Sequence, residues 1–91
     1  MNNQLESLTN YFVGIGVDER LQPYIITNNR VTEKRLCEKL IQLAVTSGND
    51  IPNYVRDILI KGLSEGEQDY IFECKIALNN AIVRNKKKGG N

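Results

Sequence analysis

The chain has 91 residues, 41% hydrophobic and 25% charged, with a net charge of +1. That composition excludes a disordered chain, leaves room for one domain, and makes whole-chain electrostatics uninformative about partners. Histidine is absent, which removes the commonest general base, the Ser–His and Cys–His nucleophile pairs and the usual zinc ligands.

A chain this short buries roughly 60–65% of the surface it exposes when unfolded, so its core is thin and a homodimer is the expected way to thicken it. The start, "MNNQLESLTNYFVGIG", carries Glu6 and no basic leader, and no apolar run approaches the ~20 residues that span a bilayer. A cytoplasmic protein of bacterial or viral type, without membrane contact, is the expectation. The whole of residues 1–91 reads as a single domain.

In chain order, Leu5, Leu8, Phe12 and Ile15 recur at helical intervals and predict a helix over about 3–13, stopped by Gly14 and Gly16. "GIG" is no phosphate loop, because no Gly-Lys-Ser/Thr follows it. Residues 17–31, "VDERLQPYIITNNRV", are ambiguous. Asp18 to Gln22 suit a short helical turn, Pro23 biases Gln22 away from helix, and "YIITNNRV" combines β-formers with two asparagines. A short strand over 24–31 or an extended connector are both open.

The next helix, about 32–47, has Thr32 as its N-cap candidate, with Glu33 at the positive end of the dipole. Its stripe is Leu36, Leu40, Leu43 and Ala44, widened by Cys37 and Ile41, and Gly48 ends it. Asn49 and Asp50 offer caps for a helix that has Pro52 in its first turn. Ile51, Tyr54, Val55, Ile58, Leu59 and Leu63 give that helix one face, expected to pack on the Leu36–Ala44 stripe. Ser64 and Glu67 have the spacing of a capping box, so a last helix is expected from Ser64 or Glu65 to about Arg84. Its stripe is Tyr70, Ile71, Cys74, Ala77, Leu78, Ala81 and Ile82. Residues 85–91 read as a flexible basic tail.

Each cysteine lies among apolar residues on a predicted helix and is expected to be reduced and buried. The pair is too small for a Cys-only zinc site. Glu65, Glu67 and Asp69 lack the ladder of a calcium loop, and Cys37 has no candidate base beside it. The chain is therefore not expected to be an enzyme or to hold a cofactor or metal.

Residues 32–63, "TEKRLCEKLIQLAVTSGNDIPNYVRDILIKGL", resemble the two helices of the ribbon–helix–helix family, dimeric DNA binders found among phage and plasmid repressors, antitoxins and relaxosome accessory proteins. The resemblance rests on Leu40 and Ala44 before Gly48, on the short polar turn that follows, and on "NYVRDILIKGL". It implies a mostly α domain in which a short strand precedes the helix pair and joins a second chain's strand in a two-stranded ribbon. The alternative is an all-α bundle. The ribbon would be "YIITNNRV", with Asn28 and Arg30 reading bases in the major groove, and Lys34 and the helix start near Asn53 holding phosphates. Thr27 and Asn29 stand where the family places apolar residues.

A second function from another class is a protein-interaction module, a small phage or plasmid inhibitor, adaptor or chaperone working through its last helix. Tyr70 and Phe72 are the partner-binding candidates. Phe72 lies off the main stripe, so it either faces a partner, such as a second copy, or packs under the N-terminal helix.

Overall fold

The computed structural model describes residues 3–64 and 68–89. It contains five α-helices: α1 (Asn3–Gly14), α2 (Gln22–Ile26), α3 (Arg30–Thr46), α4 (Asn53–Ser64) and α5 (Gln68–Gly89), with one 3-10 turn at Glu19–Leu21. Among the described residues there is no strand, and no helix is long and apolar enough to cross a membrane.

α5 is the spine. α1 and α4 pack along it, α3 packs on α4, and α2 bridges α3 and α5. One core joins them, built from Leu8 and Phe12 of α1, Leu36, Leu40 and Ala44 of α3, Val55, Ile58 and Leu59 of α4, and Cys74, Leu78 and Ile82 of α5. The predicted stripes of α3 and α4 therefore meet as expected. Tyr54 is the exception on α4: it sits at the rim, and its hydroxyl donates to the Ser7 carbonyl at 3.2 Å. Arg84 ties the far end of α5 to α1, donating to Asn10 Oδ1 at 2.6 Å and to Glu6 Oε1 at 2.9 Å.

Two glycines have backbone-level reasons. Gly48 has φ +72°, the left-handed conformation that closes α3, and its N–H donates to the Val45 carbonyl. Gly62 lies where α4 presses on its neighbours. A Cβ there would sit 2.9 Å from Cys37 Sγ and 3.3 Å from Ile71 Cγ1.

The predicted strand over residues 24–31 does not form. Gln22–Ile26 are helical, and Asn29 is the N-cap of α3: its Oδ1 accepts from Val31 N at 2.8 Å and Thr32 N at 3.4 Å. α3 thus begins three residues earlier than a Thr32 cap implies. The physical reason is tertiary. Leu21 is buried and, in the helical turn, Tyr24 and Ile25 pack on the core, while Ile26 points to solvent. Pro23 is accommodated because it falls in the first turn of α2, where no N–H is needed, and Gln22 stays helical at φ −56°, ψ −41°. Ser64 ends α4 rather than starting the last helix, and Glu67, its capping-box partner, lies outside the described residues, as do Glu65 and Gly66. α5 runs on to Gly89, through the segment read as the start of the tail.

Both cysteines are free and buried. Burial, helped by the Glu33 and Glu38 carboxylates, pushes the Cys37 thiol up from about 9 to about 11. Cys74 is pushed up further by burial, then by Cys37 and Glu73, and burial followed by Tyr54 raises Tyr11. The unfolded chain releases its thiol protons first as pH rises. The Cys37 thiol's contribution to stability is therefore fully present below about pH 9 and is lost as pH climbs through about 11. Urea midpoints are expected to fall between about pH 8 and about pH 10.5, and Cys37→Ala is expected to flatten that slope, measured by circular dichroism.

Candidate functional site

A cleft of about 710 Å³ opens between α2, the start of α3 and the first half of α5. Ile25, Phe72 and Ile76 form its apolar lining, and Asn28, Asn79, Gln68 and Asp69 supply polar groups. Glu33 and Lys75 also line it and form a buried ion pair: Lys75 Nζ to Glu33 Oε1 is 2.9 Å, with side chains 11% and 10% exposed for Glu33 and Lys75. Lys75 also donates to the Thr27 carbonyl. One ammonium from α5 thereby fixes both the α2–α3 linker and the first turn of α3, which sets the shape of the cleft.

The sequence places Glu33 at the dipole of α3 but gives Lys75 no role. The available signal is its position: Lys75 is the one cation inside the apolar run "YIFECKIAL".

The α5 residues that line the cleft belong to a longer pattern along that helix. Asp69, Phe72, Ile76, Asn79, Val83 and Lys86 follow one another at alternating three- and four-residue steps, which lines them up on one side of a helix. That side faces away from the core. Phe72 is 63% and Val83 48% exposed, Ile76 is half-buried, and Asp69, Asn79 and Lys86 are exposed. The core side of the same helix is Ile71, Cys74, Leu78, Ala81 and Ile82. A helix normally shows water a polar face; α5 instead shows Phe72, Ile76 and Val83 with Asn79 among them and opposite charges at the two ends.

The predicted site residues scatter. Asn28 lines the cleft and Arg30 is exposed in the first turn of α3, so the strand that was to carry both into a groove is replaced by a linker and a helix start. Lys34 is exposed one turn further along α3, and Asn53 is the exposed first residue of α4. Tyr70 is held within the chain: Lys61 Nζ donates to its hydroxyl at 2.9 Å and lies 4.6 Å from its ring centroid. Phe72 faces solvent and lines the cleft, so it does not pack under α1.

Among the described residues no group of histidine, cysteine, aspartate and glutamate side chains is placed to hold a metal ion. No protein-family model matches the chain, and comparison with curated proteins and with solved structures finds no match.

Proposed function

We propose that this protein is a small helical interaction module whose working surface is the outward side of α5 together with the cleft beside it. The observation that carries the reading is Phe72, one of only two phenylalanines in the chain, standing 63% exposed over a cleft already lined by Ile25 and Ile76. Aromatic side chains beside a preformed recess are common energetic centres of protein interfaces. The amide and acidic groups around it suit a helix that presents apolar side chains and a basic residue.

The test is photo-cross-linking in cells that make the full chain, with benzoylphenylalanine in place of Phe72 or, as a control, of the exposed Gln42 on α3. Protein adducts are expected at position 72 and not at 42. No adduct at 72, or equal yield at both positions, would overturn the proposal.

One observation favours a second reading, nucleic-acid binding. Arg30, Lys34, Arg35 and Lys39 are all exposed on α3 with Glu38 among them, so the outer surface of that helix is basic on balance despite the chain's small net charge. Such binding would use a helix surface rather than a ribbon, and its signature is duplex affinity that falls steeply with added salt.

A further inference from the structure

The charged ends of the seam on α5 complement each other in only one direction. From one end to the other it reads Asp69, Phe72, Ile76, Asn79, Val83, Lys86. Laid against a copy of itself head to tail, it sets Phe72 on the partner's Val83, Ile76 on the partner's Asn79, and Asp69 on the partner's Lys86. A two-fold axis repeats each of these contacts. Laid parallel, the same seam would stack aspartate on aspartate and lysine on lysine.

We infer that the occupant of this surface is a second copy of the chain, packed antiparallel along α5 with its two-fold axis between Ala77 and Leu78. The inference rests on the interaction reading above and names its partner. Three observations converge on it. The steps of three and four are those of helices that pack side by side, knobs into holes. The opposite charged ends match themselves only when one helix is reversed, so the parallel arrangement is penalised by like charges; the central Ile76–Asn79 contact sets an aliphatic side chain beside an amide and does not choose the direction. The cleft continues the seam, because Phe72, Ile76 and Asn79 line both, so the second helix has a recess beside it rather than a flat wall.

Lys86 is not idle in the single chain. It pairs with Glu19 at 3.4 Å, with both side chains largely exposed. An exposed pair of this kind contributes little, and the partner's Asp69 adds a second carboxylate within the same cluster. From Phe72 to Val83 the seam spans about 16 Å of helix, a modest contact for which a reversible, concentration-dependent dimer is the expected form.

The test uses the full chain. Sedimentation velocity over a range of concentrations is expected to show a monomer–dimer equilibrium. Phe72→Glu, and independently Val83→Glu, are expected to weaken it at least tenfold without changing the far-ultraviolet circular dichroism. Direction is read by cysteine pairing, for which the buried Cys37 and Cys74 are poor competitors. Asp69→Cys and Lys86→Cys chains are expected to cross-link when mixed and not when either is oxidised alone. Self-cross-linking of Asp69→Cys without a mixed product would overturn the antiparallel arrangement. A chain that stays monomeric at every concentration would overturn the second copy as occupant. In that case a position-72 photo-adduct whose mass differs from that of two chains leaves the interaction module standing, and the absence of any adduct removes both.

Discussion

Lys75→Ala is expected to lower the unfolding free energy by about 3–5 kcal/mol, a large share of what a domain of this size has. The substitution leaves the Glu33 carboxylate buried without its cation and strips the Thr27 carbonyl of the same donor. The uncompensated charge dominates the loss, because a buried ion pair contributes little net stability over an apolar pair but is expensive to break from one side. Replacing both partners, as Glu33→Leu with Lys75→Met, is therefore expected to recover most of the deficit. Urea unfolding followed by circular dichroism measures both variants. If Lys75→Ala unfolds at the wild-type midpoint, the pair does not hold the α2–α3 linker on α5. The cleft depends on the same contact, so its shape and the stability of the domain are tied to one ammonium group.

The α3–α4 pair was legible in the sequence because the stripe and turn signals agree there, although the caps do not: Asn29 rather than Thr32 caps α3, and α4 begins at Asn53, beyond Asn49, Asp50 and Pro52. Leu36, Leu40 and Ala44 repeat at helical spacing, Gly48 supplies the left-handed turn, Pro52 stands where its missing N–H costs nothing, and Val55, Ile58 and Leu59 repeat opposite. Residues 22–31 were misread because the local signals conflict with the tertiary outcome. Tyr24, Ile25 and Ile26 favour strand, but the burial of Leu21 and the capping of α3 by Asn29 favour helix.

The outward seam was hidden for a different reason. α5 is apolar on two sides, so the stripe through Ile71, Leu78 and Ile82 absorbs the periodicity and leaves Phe72 looking like an isolated exception. Only when the core side is known does the remaining set show its own register. Lys75 was illegible in its role because its partners, Glu33 and Thr27, are more than forty positions away. No local pattern signals so distant a pairing.

The two phenylalanines separate core from surface in one experiment. Phe12 is 0% exposed, between α1 and the spine helix, while Phe72 is 63% exposed on the opposite side of that helix. Phe12→Ala is expected to cost about 3–5 kcal/mol, from lost transfer free energy and the cavity left in the core. Phe72→Ala, measured at concentrations low enough to keep chains apart, is expected to stay within about 0.5 kcal/mol of wild type, as surface substitutions do. A protein that keeps a costly aromatic side chain in water gains nothing in folding from it. If Phe72→Ala proves as damaging as Phe12→Ala in dilute solution, Phe72 belongs to the interior and the outward side of α5 is no interface. If only Phe12→Ala destabilises the separated chain, the effect of Phe72 must lie in association, and its loss will show when chain concentration is raised.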